Sequence, residues 1–84
     1  MSTFYVIATP IGNLGDITLR ALRILKEVDL VLCEDTRVTR KLFEKYQIPT
    51  QTMSYHAQSG EAKVEIILEK IEEGKNIALV TDAG

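Results

Sequence analysis

The 84 residues make room for one domain. Their composition, 45% hydrophobic and 26% charged with few Gly and Pro, is that of a globular protein and argues against disorder and against a coiled coil. Ten Lys and Arg against twelve Asp and Glu leave a net charge of −2. That excludes an overall basic footprint for nucleic acid, while leaving room for a basic patch on a part of the protein beyond this chain. Cys33 is the only cysteine, which rules out an internal disulfide and a cysteine-rich metal site and fits a reducing cytoplasm. No run approaches the roughly 18 apolar residues of a membrane span. The N-terminus lacks the basic start and cleavage site of a signal peptide.

Phe4-Tyr5-Val6-Ile7-Ala8-Thr9 is apolar, rich in β-formers and stopped by Pro10, so it reads as a buried strand. Residues 10–16 form a loop with Gly12, Asn13 and Gly15, which tolerate unusual backbone angles. Asp16 is placed to cap a helix whose inward face is Ala21, Leu22, Leu25 and Val28. Leu30-Val31-Leu32-Cys33 is a second apolar strand, breaking into Glu34-Asp35-Thr36-Arg37. Asp35 or Thr36 caps a second helix that carries Val38, Leu42 and Phe43 inward and ends at Ile48-Pro49.

Residues 51–55 form a weaker strand near a sheet edge. The third helix has the clearest pattern, with Val64, Ile67, Leu68 and Ile71 on one face and Gly74 as its C-terminal glycine. Residues 77–81 are the last strand. The order β-α-β-α-β-α-β, with each crossover long enough for a helix, predicts an α/β fold: a parallel sheet of about four strands flanked by helices. Asp82-Ala83-Gly84 reads as the start of a functional loop, so the chain is expected to be a fragment of a longer protein.

In an open α/β sheet, ligands bind beyond the carboxyl ends of the strands, where loops and helix N-termini converge. Here those ends read Thr9-Pro10-Ile11-Gly12-Asn13, Glu34-Asp35-Thr36-Arg37, Ser54-Tyr55-His56 and Thr81-Asp82-Ala83-Gly84. Each element also has a plain structural use. Gly12 and Gly15 shape a turn, Asp35 or Thr36 caps a helix, and a lone histidine such as His56 serves as a hydrogen-bonding residue. Tyr5 and Tyr46 read as packing residues, and Tyr55 fits either use. The glycine spacing fits neither a dinucleotide fingerprint nor a Walker A loop. Two adjacent carboxylates followed by Arg37, with Arg40 on nearly the same helix face, exceed what a cap requires.

Ala8-Thr9-Pro10-Ile11-Gly12-Asn13-Leu14-Gly15-Asp16-Ile17-Thr18-Leu19-Arg20-Ala21-Leu22 resembles the opening motif of the ribosomal RNA small subunit methyltransferase I family. That family lies within the tetrapyrrole methylase superfamily, the class III methyltransferases. Glu34 to Arg37, Ser54 to His56 and Ala78 to Gly84 resemble its successive motifs in order and spacing, so the resemblance covers the whole chain.

The resemblance implies methyl transfer from S-adenosylmethionine to the ribose 2′-hydroxyl of a cytidine in 16S ribosomal RNA of the small subunit. It implies that residues 1–84 are most of the N-terminal α/β domain of a two-domain enzyme whose C-terminal domain is absent here. The family's cofactor lies in the cleft between the two domains. The resemblance puts Pro10, Ile11, Gly12, Asp82, Ala83 and Gly84 on that cofactor. The family motif continues past Gly84 with Thr-Pro, and the isolated fragment is expected to be inactive.

A sulfonium methyl is already electrophilic, so the enzyme's task is alignment and a base for a weak hydroxyl nucleophile. The carboxylate pair Glu34 and Asp35 is the preferred base, with His56 a further candidate. Asn13, Thr36, Arg37 and His56 are the expected substrate contacts, Arg37 holding an RNA phosphate or orienting the carboxylates. No metal is needed. A cytoplasmic homodimer without membrane attachment completes the expectation. Three alternatives share these residues: a methylase of a corrin or porphyrin precursor, a phospho-receiver or other regulatory module, and a self-associating module built on an exposed sheet edge.

Overall fold

The computed structural model describes residues 2–8, 14–55 and 60–81. Four strands, β1 (Phe4–Ala8), β2 (Leu30–Cys33), β3 (Thr52–Ser54) and β4 (Ile77–Thr81), alternate with three helices, α1 (Leu19–Glu27), α2 (Thr36–Tyr46) and α3 (Glu61–Glu72). All strand pairs are parallel and the sheet order is β1-β4-β2-β3.

The chain steps one way across the sheet from β1 to β2 to β3, then back to β4. Right-handed crossovers then place α1 and α2 on one face and α3 on the other. The core divides accordingly. Ile7, Val31, Cys33, Ala78 and Val80 pack with Ala21, Leu25, Leu42 and Phe43 from α1 and α2. Leu30, Leu32 and Ile77 face the other way, against Ile67 of α3.

All four residues of β2 are buried, as a strand covered on both faces requires. β1 is different. It lies at the sheet edge, and only Ile7 is buried; Phe4 is 49% and Val6 67% exposed on the α3 side. The buried strand expected from its apolar run is therefore an edge strand, because β4 inserts between β1 and β2. β3 does lie at the opposite edge, as its weaker pattern suggested.

Helix ends follow local chemistry. Thr18, in an extended conformation, caps α1 by accepting from the Ala21 N–H at 3.1 Å. Asp16 does not cap it, because it closes a short 3-10 turn at Leu14–Asp16, two residues too early. At the other end of α1, the Leu25 carbonyl lacks a helical partner and accepts from the Thr50 hydroxyl at 2.6 Å. In α2 the inward stripe is Thr39, Leu42 and Phe43; Val38, one position off that stripe, is 45% exposed.

α3 contributes least. It has no buried residue, and Val64, Leu68 and Ile71 are exposed, with Ile67 the member of the predicted face that reaches the core. Its end is nonetheless well formed. Gly74 takes a φ of 81°, the Gly74 N–H bonds the Ile71 carbonyl and the Lys75 N–H bonds the Lys70 carbonyl.

α2 ends in the same motif without glycine. The Ile48 N–H bonds the Phe43 carbonyl at 2.9 Å, and Gln47 sits in the left-handed region with φ 55°. A side chain there costs about 1–2 kcal/mol of backbone energy. Gln47→Gly is therefore expected to stabilise the chain by about 1 kcal/mol, read as a higher urea midpoint. An unchanged or lower midpoint would show that the Gln47 side chain offsets its strain.

The edge opposite the candidate site is pinned by a polar cluster. The Asn76 N–H donates to Asp29 Oδ2 at 2.8 Å, the Asp29 N–H donates to the Asn76 carbonyl, and Asn76 Oδ1 accepts from the Thr3 N–H. These bonds fix the strand register from below.

Candidate functional site

Register aligns the strand exits. Ala8 pairs with Thr81, and Cys33 pairs with both Val80 and Ser54. Glu34 therefore leaves the sheet level with Thr81 and with Tyr55, whose N–H donates to the Cys33 carbonyl at 2.8 Å. One row of exits thus carries Glu34-Asp35-Thr36-Arg37, Ser54-Tyr55 and Thr81.

The helices that follow β2 and β3 go to opposite faces of the sheet. Adjacent strands whose connections diverge in this way open a crevice at their carboxyl ends, the usual ligand position in an open α/β sheet. By that rule the crevice is expected between Glu34-Asp35 and Ser54-Tyr55, at the exits of β2 and β3.

The two carboxylates at this crevice are not equivalent. Asp35 caps α2: its Oδ1 accepts from the Arg37 N–H at 2.9 Å. The Arg37 guanidinium then grips both oxygens, Nε to Oδ1 at 3.2 Å and Nη2 to Oδ2 at 3.1 Å. The guanidinium hydrogen bond, followed by the backbone N–H and the guanidinium charge, holds the Asp35 carboxyl below the ordinary carboxylate range. The same bond raises the Arg37 value. Thr36 begins the helix beside them, half-buried. Glu34 is exposed and makes no hydrogen bond or ion pair with the described residues. Sequence alone left Asp35 and Thr36 as equal caps; the structure assigns the cap to Asp35.

A depressed carboxyl value has a definite consequence with pH. The Asp35 contribution is complete above the unfolded carboxylate value and is lost as pH falls through the lower folded one. In an NMR titration, Asp35 is expected to ionise below the ordinary range, and Arg37→Gln should move it back up. An Asp35 titration that Arg37→Gln leaves unmoved would show that Arg37 does not govern it.

Lys63 is a site residue that the sequence reading did not single out. It lies in the first turn of α3, and its ammonium donates to the Ser54 carbonyl at 2.7 Å and the Ser54 hydroxyl at 2.8 Å. The available signal was position: a lysine in a helix's first turn, against the macrodipole, needs a specific acceptor. Pro10, Ile11, Gly12, Asn13, His56, Asp82, Ala83 and Gly84 lie outside the described residues. Tyr5 and Tyr46 are packing residues, half-buried against the α1–α2 core, and Tyr55 packs on the α3 side. An open groove of about 260 Å³ runs along β1 against α1, lined by residues that include Tyr5, Ile7, Thr18 and Ile24. It reaches Ala8 at the carboxyl end of β1 and Arg20 at the start of α1, so it opens beside the β1 end of the row of exits.

Sheet order decides among α/β classes. In receiver and dinucleotide-binding folds β1 is an inner strand beside β2. Here β1 is an edge strand and β4 separates it from β2, which removes the phospho-receiver alternative. The architecture is a parallel α/β sheet with polar exits at the carboxyl ends of β2 and β3.

The chain belongs to the tetrapyrrole methylase family: residues 3–84 match the Tetrapyrrole (Corrin/Porphyrin) Methylases. It is 52% identical over 80 residues to the Ribosomal RNA small subunit methyltransferase I of Leptospira biflexa, covering 95% of this chain and 33% of that protein. It is 49% identical to the protein of the same name from Mycoplasmopsis pulmonis, covering all of this chain and 38% of that protein. For the Bacillus subtilis protein of that name the identity is 50%, with 100% of this chain and 29% of that protein covered. The chain thus spans about a third of the length of these relatives. No helix among the described residues is long and apolar enough to cross a membrane.

Proposed function

We propose that the chain is most of the N-terminal α/β domain of a two-domain methyltransferase that acts on small-subunit ribosomal RNA. The observation that carries this reading is the similarity, over nearly the whole chain, to proteins named for that activity. Two structural features support the two-domain part. Phe4 and Val6 of β1 and Val64, Ile66 and Leu68 of α3 are exposed apolar residues, and β1 has a free edge. Both are surfaces that the remaining length of such a protein is suited to cover.

In this reading the methyl donor is S-adenosylmethionine and the acceptor is the 2′-hydroxyl of a cytidine in 16S ribosomal RNA. The segments assigned to the donor, Pro10-Ile11-Gly12 and Asp82-Ala83-Gly84, follow Ala8 and Thr81, which are partners on adjacent strands. That adjacency fits one ligand contacted by both. The donor supplies an electrophilic methyl group; the protein positions the acceptor and takes its proton.

Glu34 is the better base. Arg37 occupies both oxygens of Asp35 and lowers its basicity, whereas Glu34 stands exposed at the crevice. Asp35 and Arg37 together become a positioning unit, with the guanidinium's outer face directed to RNA phosphate. Thr36, Asn13 and His56 are assigned to the substrate side. The enzyme acts in the cytoplasm as a homodimer.

The test is methyl transfer by the full-length protein. Radiolabelled S-adenosylmethionine should label small ribosomal subunits that lack the mark, on a cytidine 2′-oxygen. The isolated 84-residue chain should give no transfer. Labelling of a corrin or porphyrin precursor instead of RNA would replace this reading with that of the family's namesake reaction.

A further inference from the structure

The net charge of −2 conceals a separation that the fold creates. α1 carries Arg20, Arg23 and Lys26 against one acid, Glu27. α2 carries Arg37, Arg40, Lys41 and Lys45 against one acid, Glu44. Both helices lie on the same face of the sheet, packed on one core. Their cations are all exposed. On the opposite face α3 carries Glu61, Glu65, Glu69 and Glu72 against Lys63 and Lys70, and Lys63 is turned to Ser54. Seven of the chain's ten Lys and Arg therefore sit on one helical layer, and the other layer is acidic.

The basic layer is also ordered relative to the crevice. Each helix runs back from the carboxyl ends of the strands, so Arg20 and Arg37 stand nearest the row of exits. Arg37, Lys41 and Lys45 follow at i, i+4 and i+8, one stripe with about 6 Å of rise per step. Arg40 lies beside it. The acids nearest this stripe are Glu44, on α2 itself, and Glu34 and Asp35 at the crevice, and Arg37 already neutralises Asp35. The stripe leads from the crevice down an exposed face.

We infer that the outer face of α1 and α2 is the surface on which the RNA substrate's phosphate backbone docks, leading the acceptor ribose into the crevice between β2 and β3. This rests on the RNA reading above. The occupant is fixed by charge complementarity: a polyanion with regularly spaced charges matches a stripe of guanidinium and ammonium groups. The acidic α3 face repels the same polyanion and so orients the approach.

The test uses the full-length protein carrying Arg23→Gln, Arg40→Gln and Lys41→Gln together, with Lys70→Gln and Lys75→Gln as the control pair. None of these residues is placed at the crevice. Binding of small-subunit ribosomal RNA is measured across salt concentrations, alongside methyl transfer. The triple variant should bind about tenfold or more weakly near physiological salt, with a log–log salt slope shallower by about 2–3. The control pair should bind as the wild type does.

Methyl transfer by the wild type with unchanged RNA affinity in the triple variant would overturn the docking face while leaving the RNA reading intact. Equal loss in the control pair would overturn it as well. A wild type that neither binds nor methylates RNA would overturn both readings. Phosphatidylserine vesicles are a further arm: their binding by the wild type in place of RNA would reassign the face to anionic lipid.

Discussion

Leu25→Ala is expected to cost about 3–5 kcal/mol of folding stability, and Leu68→Ala at most about 1. Leu25 is completely buried in the larger core, which also holds Ala21, Val31 and Leu42. Its side chain cannot be removed without leaving a cavity that close-packed neighbours fill only partly. Its carbonyl is also held by Thr50, so α1 cannot simply shift inward. Leu68 is 52% exposed on α3, where water replaces whatever is removed and alanine is a good helix former. A chain of this length has roughly 4–13 kcal/mol in total. The first substitution therefore consumes a large share of its stability and the second almost none. Urea unfolding with a shared slope reads both directly. Equal midpoint shifts would mean that α3 packs as tightly as α1.

That contrast explains what was legible in the sequence. Periodicity locates helices and strands, because it reports which side of an element is apolar. It correctly placed all three helices and four strands here. It does not report whether anything covers that side. Val64, Leu68 and Ile71 have the best spacing in the chain and are nonetheless exposed, whereas Thr39, a polar residue, is buried in α2. Strand order was hidden for the same reason. Nothing local in residues 4–8 distinguishes an edge strand from a central one; β4, from the far end of the chain, decides it by inserting beside β1.

The site was legible as a set of residues and not as a set of roles. The parallel topology forces the polar exits onto one edge, so Glu34, Asp35, Thr36, Arg37 and Tyr55 were foreseeable as neighbours. The division of labour between the carboxylates depends on χ angles that place Arg37 on Asp35 rather than on Glu34. The basic layer was invisible in the net charge, because the acids of α3 cancel it in the sum though not in space.

Substitution of Glu34 by glutamine is expected to slow methyl transfer by the full-length protein about 10²- to 10⁴-fold, with little change in RNA affinity. A ribose hydroxyl becomes a competent nucleophile only as its proton departs, and glutamine keeps the size of glutamate while losing the acceptor's basicity. Asp35→Asn should act differently. Asparagine still caps α2, so the helix remains, but the charged fork to Arg37 is lost and the guanidinium is released from its position. That variant should bind RNA more weakly and retain more of its rate at saturating RNA than Glu34→Gln does. Near-normal rates in both variants would remove the carboxylates from the chemistry and leave His56 as the candidate base. A larger loss of rate at saturating RNA in Asp35→Asn than in Glu34→Gln would exchange their roles.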